Sequence, residues 1–426
     1  MSTQKVLESN QNEPPSFTDA KVQIQEPSPK TQNPAEEKAP SRFDEMQEAQ
    51  QIARDYIPSV RAGRHLLYKR LFAEDENFFA KPSTRFYFIK KVFQVLVPDT
   101  RMKAQHFELA NKVGAVGEYC ISIMYLDNHL QDQKYGVKDE PSRAANRKER
   151  ALTEQDMYHY ILREFDDQTQ TSVIRAVQKL FKFYQIGMAL DKEMLTYENL
   201  MQDVPNQCRI SEEVDAFVDV ESFIRVFEQV AKHKLSDIAQ LHYLRLYLTR
   251  AFLINTVFFQ IFAELLVEIF GASAPLRQRL VTYARMFGMA QQLVNDNCDY
   301  LPVSYQFTTL CKLPEDTYSD LRRNLVTLPI IFFFQDSDAH QGEIFSLYND
   351  ASYRKDITQA EDQHRLLIEL IQSGALGKGM SFVCALAEYG EKLVQDEAGM
   401  FQDMFSFTRY NRYYKEYNQI KNQIIC

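Results

Sequence analysis

Apolar residues recur at three- and four-residue steps over most of the chain, which is the spacing of helices that bury one face. In the segment RFYFIKKVFQVLV, for example, one face carries Phe86, Ile89, Phe93 and Leu96. From about residue 43 onward this pattern continues almost without interruption. We therefore predict an all-α fold.

One segment, residues 241–271, is apolar nearly all round. A helix that is apolar on every side is typical of a central helix surrounded by others. We do not interpret the segment as a membrane span, because four charged residues interrupt it: Arg245, Arg250, Glu264 and Glu268. The prediction is one helical domain built around one or two buried helices, without a transmembrane segment.

The first 42 residues differ from the rest of the chain. They carry six of the fifteen prolines and a single aromatic residue, Phe17. Such a segment buries too little apolar surface to offset the entropy lost on ordering. We predict a disordered tail over residues 1–42 and a helical domain over residues 43–426.

Composition narrows the functional classes. The chain has 58 acidic and 49 basic residues, a net charge of −9, which argues against a nucleic-acid surface. Its 13 glycines among 426 residues are far below the usual share of about 7%, which disfavours β-barrels and glycine-cradled dinucleotide folds. The six cysteines form no CxxC pair, and no secretory signal is visible, so we expect free thiols and a cytoplasmic protein.

The segment FGMAQQLVNDNCDYLP contains the most distinctive chemistry. Asn295, Asp296 and Asp299 are predicted to share one helical face, and the residues before them are largely apolar. Clustered carboxylates on such a helix are costly unless a cation or a polar cavity receives them. Their hard oxygen atoms suit Mg²⁺. The alternative is a solvated acidic helix end just before Pro302.

A second acidic cluster, Asp127, Asn128 and Asp132, follows an apolar helix. Asp127 and Asp132 are five residues apart, so on a continuous helix their side chains diverge by roughly 140°. They converge only if the helix ends or loosens nearby. Taken alone, this cluster also fits a solvated helix end.

Together the two clusters resemble the aspartate-rich helices of the isoprenoid synthase superfamily, which covers trans-prenyl diphosphate synthases and class I terpene synthases. The prenyl synthase patterns are G-x-A-F-Q-(I/L)-x-D-D-x-x-D and, downstream, D-L-x-E-G-K-x-T-L-P. The chain matches them in register at Gly288, Ala290, Gln292, Leu293, Asp296, Asp299, Asp320, Leu321, Thr327, Leu328 and Pro329. The resemblance spans most of residues 60–340 and implies an all-α isoprenoid synthase bundle with a central cavity.

The resemblance also implies a site that holds up to three Mg²⁺ ions and an isoprenyl diphosphate. The implied metal ligands are Asp127, Asn128, Asp132, Asn295, Asp296 and Asp299. Asp127, Asp296 and Arg250 are the implied catalytic residues. The implied diphosphate ligands are Arg250, Arg322, Arg323, Arg409 and Tyr410, and the implied cavity residues are Phe252, Phe259 and Met188.

Two of these assignments have structural alternatives. The alternative for Arg250 is a structural role in a buried ion pair with Glu264 or another neighbour. The alternative for the segment around Arg409 is a helix face with basic and aromatic residues. The superfamily element G-Q-x-x-D is matched by GMALD, which keeps Gly187 and Asp191. The long gap after it predicts an insertion at about residues 192–235, and the resemblance implies a homodimer.

Departures from the prenyl synthase patterns bear on function. The G-K-R-x-R-P element is reduced to Arg85, the K-T pair is Asn255-Thr256, and the G-K pair is Asn324-Leu325. These changes remove cations that would hold isopentenyl diphosphate. The sequence therefore favours a class I terpene synthase-like enzyme that ionises one allylic diphosphate to a hydrocarbon or alcohol. The alternatives are a chain-elongating trans-prenyl diphosphate synthase and a non-catalytic partner subunit.

Overall fold

The computed structural model describes eleven parts of the chain: residues 84–97, 103–132, 139–193, 195–201, 210–232, 234–235, 241–301, 318–334, 344, 360–393 and 408–425. The predicted tail at residues 1–42 lies outside the described residues. Part of the predicted insertion also lies outside them, so both stay predictions.

The described residues form helices and no strand, which confirms the all-α prediction. In the first half of the chain the helices are α1 (Thr84–Leu96), α2 (Ala104–Asp132), α3 (Glu140–Glu164), α4 (Asp167–Glu193), α5 (Tyr197–Met201), α6 (Glu212–Val218) and α7 (Val220–Ala231). In the second half they are α8 (Leu241–Ala251), α9 (Val257–Phe270), α10 (Ala274–Cys298), α11 (Ser319–Arg322), α12 (Leu328–Phe333), α13 (Ala360–Gln372), α14 (Ala375–Leu393) and α15 (Thr408–Ile425). A π-helical turn, Phe252–Thr256, joins α8 to α9.

Local sequence explains where the long helices begin. Asp139 caps α3 by accepting a hydrogen bond from the backbone N–H of Ser142 at 2.8 Å. Ser273 caps α10 in the same way through Leu276. In both helices a proline lies in the first turn, where its missing N–H costs nothing.

Helix α9 lies at the centre of the bundle, as its all-round apolar pattern predicts. It packs on α1, α4 and α10, while α10 packs in turn on α14. Gly288 of α10 permits a close approach, because a Cβ there would lie 2.8 Å from the Cα of Thr256. The helix termini that carry the acidic clusters are therefore held by one continuous core.

The stretch Leu241–Phe270 is long and apolar enough to cross a membrane by length and composition alone. However, 78% of its most apolar window is buried inside the protein. A bent pair of helices, Asp362–Gln372 and Ala375–Leu393, passes the same test only as a unit, with an angle of 65° between its halves. Burial of this kind is expected of a core helix.

Candidate functional site

Asp296, near the end of α10, is a buried carboxylate at the centre of a hydrogen-bond network. Only 1% of its surface is exposed. Its Oδ2 accepts hydrogen bonds from the Tyr247 hydroxyl at 2.7 Å and from Arg250 at 3.0 Å, and its Oδ1 accepts one from Gln292 at 2.8 Å. A buried charge needs such partners, because desolvation without them is very costly.

Arg250 of α8 joins two carboxylates. Its Nε donates to Asp191 of α4 at 2.6 Å, and its other side binds Asp296. Burial alone would lower the pKa of Arg250, but the carboxylates of Asp191, Asp296 and Asp320 raise it above the ordinary value. The guanidinium is therefore fixed in its charged form between two acids.

Asp191 links the ends of the two acidic helices. It accepts a hydrogen bond from Gln131 of α2 at 2.9 Å and lies 3.5 Å from Arg323, which also binds Asp320 at 2.7 Å. Through Arg250 it is connected to Asp296 on α10. Helices that are distant in the sequence thus meet in one charged cluster.

Asp299 follows α10 and is fully buried. Its carboxylate accepts hydrogen bonds from the Ser319 hydroxyl and from the backbone N–H of Asp320, both at 3.1 Å. Its own carbonyl accepts from the backbone N–H of Tyr318 at 2.7 Å. Asp299 therefore positions the segment that carries Asp320 and Arg323.

Asp127 lies on the other acidic helix, α2, beside a cavity of about 540 Å³. Arg150 of α3 binds its Oδ1 at 3.0 Å and also pairs with Glu154. Burial raises the pKa of Asp127, and the charge of Arg150 opposes that rise only in part. Met188 lines the same cavity.

Arg85 has a separate set of partners. It donates to the Asn255 side chain at 2.7 Å and to the Tyr125 hydroxyl at 3.4 Å, and it lies over the ring of Phe259. Asn255 in turn donates to the carbonyl of Gly288 at 2.9 Å. No carboxylate of a described residue pairs with Arg85, and its partners among the described residues are polar and aromatic groups.

The structure corrects the predicted face of α10. Asn295 is exposed whereas Asp296 and Asp299 are buried. Adjacent residues on a helix point about 100° apart, so Asn295 and Asp296 do not share a face. Helix α2 also continues without a break to Asp132, so the predicted convergence of Asp127 and Asp132 has no support from a helix end between them.

The other predicted residues fall into three groups. Asn128 is half-buried near the end of α2, and Arg322 ends α11. Arg409 and Tyr410 lie in α15, but their side chains, like that of Asp132, are outside the described residues. The two phenylalanines are fully buried in the same core but contact different rings: Phe252 contacts Phe217 and Phe223, and Phe259 contacts Phe88 and Phe287.

Two further parts of the site were not predicted. Arg150 is 23 residues from Asp127 on another helix and belongs to no motif, so no sequence signal connects the two. Asp191 matches the GMALD element but was not assigned to the site, although that match was the signal that could have identified it. Arg250 does form a buried ion pair, with Asp191 and Asp296 rather than with Glu264, which binds Lys179.

No protein-family model and no curated protein matches the chain. Solved structures do. The geranylgeranyl pyrophosphate synthetase of Pyrococcus horikoshii superposes with a TM-score of 0.56 at 13% identity, over 86% of this chain and 97% of that one. A polyprenyl synthase of Caulobacter crescentus, complexed with calcium and isoprenyl diphosphate, gives 0.50 at 15% identity, over 82% and 91%.

The chain has the isoprenoid synthase fold. A geranylgeranyl pyrophosphate synthase of Corynebacterium glutamicum, complexed with isoprenyl diphosphate and magnesium, also matches, with a TM-score of 0.51 at 14% identity over 82% of this chain and 93% of that one. The fold expected from the two acidic motifs is therefore confirmed. At this level of sequence identity, the similarity to these structures shows a shared fold.

The acidic residues of this fold suit a divalent cation by their chemistry. Asp191 and Asp296 already converge on one cationic group, the guanidinium of Arg250. Among the described residues, no three acidic, histidine or cysteine side chains are gathered as a metal site. Carboxylate oxygens are the ligands that Mg²⁺ prefers in proteins.

Proposed function

We propose that the protein is a trans-prenyl diphosphate synthase that joins an allylic isoprenyl diphosphate to isopentenyl diphosphate. The observation that carries this proposal is the presence of two cationic regions with different partners. One comprises Arg150, Arg250 and Arg323 at the acidic helix ends, and the other is Arg85, which has no acidic partner among the described residues. Two diphosphates require two such regions. The similar solved structures are polyprenyl and geranylgeranyl diphosphate synthases, which supports the same reading.

The proposed reaction begins when the bond between C1 and oxygen of the allylic substrate breaks and diphosphate leaves with the electron pair. The double bond of isopentenyl diphosphate then supplies the pair for the new carbon–carbon bond. Loss of a proton to the departing diphosphate restores a double bond. Asp127, Asp191 and Asp296 would hold Mg²⁺ through their carboxylates, and the bound ion would supply positive charge where negative charge develops on the leaving group.

The chain's own residues have distinct parts in this proposal. Arg85 anchors the isopentenyl diphosphate, held in place by Asn255 and Tyr125. Arg323 contributes a cation near Asp191, one residue before Asn324, which has φ 63°. Asparagine tolerates this left-handed backbone, so it can replace the glycine of the superfamily pattern there.

A second candidate is a terpene synthase-like enzyme that ionises a single allylic diphosphate. The observation that favours it concerns Leu325, which replaces the lysine of the prenyl synthase pattern D-L-x-E-G-K-x-T-L-P. Its side chain is buried and only 3% exposed. The experiment that separates the two is incubation with Mg²⁺ and geranyl, farnesyl or geranylgeranyl diphosphate, each with and without isopentenyl diphosphate. Longer prenyl diphosphates that form only with isopentenyl diphosphate support elongation. A hydrocarbon or alcohol formed without it supports the second candidate, and no turnover supports a non-catalytic partner subunit.

Arg85→Gln tests the assigned anchor. Because a charge-assisted hydrogen bond to the diphosphate is lost, we expect the KM for isopentenyl diphosphate to rise about tenfold or more, with little change in the KM of the allylic substrate. Steady-state kinetics measure both constants. Arg175→Gln, which changes an exposed arginine paired with Glu268, is the matched control. Equal effects on both KM values would contradict the role of Arg85.

A homodimer and a cytoplasmic location remain predictions from the sequence.

A further inference from the structure

The pair formed by Arg150 of α3 and Asp127 of α2 differs in its surroundings from the Arg147–Glu140 pair on α3. Both of its side chains are 23% exposed and line the cavity of about 540 Å³ together with Gln131, Tyr184, Gln185 and Met188. Arg147, one turn earlier on the same helix, pairs with Glu140 at the surface, where the two are 53% and 68% exposed. The cavity pair is therefore placed to meet a ligand, and the surface pair is not.

The Arg150–Asp127 contact uses groups that have stronger partners in the proposed reaction. Asp127 Oδ1 now accepts from Arg150 Nε at 3.0 Å. A Mg²⁺ ion would compete for that oxygen, since carboxylates are its preferred protein ligands. The Arg150 side chain would then lose its bond to Asp127 beside the cavity, and it would keep its ion pair with Glu154 on the same helix. A guanidinium is well suited to phosphate oxygens because its planar fork can bind two of them at once.

We propose that Arg150 is a diphosphate ligand that Asp127 holds in place until metal and substrate arrive together. When the metal binds Asp127, that carboxylate no longer competes with diphosphate for Arg150. When diphosphate binds Arg150, that guanidinium no longer competes with the metal for Asp127. This inference rests on the proposed function, because it assumes that a Mg²⁺-diphosphate complex enters this cavity. As a consequence, the affinity for Mg²⁺ should be higher when diphosphate is bound, and the affinity for diphosphate should be higher when Mg²⁺ is bound.

The test uses calorimetry on the full chain with MgCl₂ alone, inorganic pyrophosphate alone and both together. Arg150→Gln should bind Mg²⁺ alone more tightly than the wild type, because Asp127 is freed. It should bind pyrophosphate in saturating Mg²⁺ about tenfold more weakly or worse, because a charge-assisted contact is lost. Arg147→Gln is the matched control, and it should behave as the wild type in both titrations.

The reciprocal variant gives the opposite sign. Asp127→Asn releases Arg150, so pyrophosphate without metal should bind several-fold more tightly than to the wild type, while the gain from Mg²⁺ shrinks. Glu140→Gln removes an equal charge from α3 and controls for net charge. Thermal melts check that each variant folds, and Arg150→Lys, which keeps the charge but loses the fork, should bind pyrophosphate with intermediate affinity.

Two results would overturn the proposal in different ways. If Arg150→Gln and Arg147→Gln bind pyrophosphate alike while the wild type binds it with Mg²⁺, Arg150 is a structural residue and the proposed function stands. If the wild type binds no pyrophosphate even with Mg²⁺, the proposed function and this inference fail together.

Discussion

Asp296 illustrates how a residue with ligand chemistry can also stabilise the fold. Its partners Tyr247, Arg250 and Gln292 are all buried. Burial, followed by the charge of Asp296, raises the pKa of Tyr247 well above its ordinary value, so the phenol stays protonated and donates. Loss of the carboxylate would leave the buried guanidinium with Asp191 alone. The site and the core are therefore coupled at this residue.

We expect Asp296→Asn to lower the free energy of unfolding by about 3 kcal/mol, because it breaks a buried ion pair and leaves one partner uncompensated. Chemical denaturation at neutral pH measures the change. The adjacent exposed residue supplies a control, since Asn295→Ala should change stability by less than about 0.5 kcal/mol. Equal stability of the two variants would show that the Arg250 network contributes little.

The described cysteines offer a second test at the residue scale. Cys120 and Cys298 are buried, and Cys384 is half-buried. Burial raises the pKa of the Cys384 thiol to about 12 and that of Cys120 well above its ordinary range. Because only the thiolate reacts, neither should be alkylated by iodoacetamide at pH 8 in the native protein, and both should react after unfolding. Peptide mass spectrometry reads the labelling, and rapid native labelling of Cys120 would contradict this packing.

At the scale of elements, periodicity predicted the helices but not how the central one is interrupted. The apolar run at residues 241–271 gives no sign of the π-helical turn Phe252–Thr256. An extra residue in one turn rotates the positions after it, but a segment that is apolar on every side does not reveal that rotation. Spacing was also insufficient in α10, where it placed Asn295 and Asp296 on one face although only Asp296 is buried. Which side of a helix is buried depends on its neighbours, and here Tyr247 and Arg250 come from another helix.

Motif matching singles out Asp127, Asp296 and Asp299 as candidate site residues, and their role stays a prediction. The partners of these residues could not be predicted from the sequence. Arg150 and Arg250 reach them across 23 and 46 positions in the sequence. Contacts of this kind depend on the packing of helices, and nothing in local spacing records them. A close helix contact, by contrast, leaves a visible sign in the glycine at position 288.

Gly288→Ala tests that contact. A Cβ would lie 2.7 Å from Phe259 and 2.8 Å from the backbone of Thr256, so we expect a loss of about 1–3 kcal/mol in unfolding free energy from overpacking. Gly377→Ala is the helical control, because the three atoms nearest to its Cβ would all belong to the Tyr417 side chain, with the hydroxyl at 3.0 Å. The control should be neutral or gain up to about 1 kcal/mol from helix propensity. Denaturant titration distinguishes the two.

At the scale of the whole molecule, charged residues from α4, α8, α10 and the α11 segment meet in one cluster, and Gln131 of α2 is hydrogen-bonded to it. Ligands that bind there should therefore stabilise the entire bundle rather than one helix. A ligand present at 100 times its Kd adds about 2.7 kcal/mol to the stability of the state that binds it. The magnitude makes whole-protein melting a sensitive assay.

We expect Mg²⁺ and inorganic pyrophosphate together to raise the Tm by several degrees and by more than the sum of their separate effects. The physical reason is that each neutralises charge that the other leaves exposed. Differential scanning fluorimetry measures the shift, and Ca²⁺ or Mn²⁺ can replace Mg²⁺ to test ion preference. A purely additive response would indicate that metal and diphosphate bind to independent places.

The bridge formed by Arg250 also has an evolutionary consequence. Its charge is balanced by Asp191 on one side and Asp296 on the other, so a lineage that loses one of the three side chains leaves an uncompensated buried charge. Substitutions at positions 191, 250 and 296 should therefore occur together among descendants of a common ancestor. Recombining this chain with a distant homologue within residues 192–295 would separate inherited partners, and such chimaeras should be recovered in soluble form less often than those joined elsewhere.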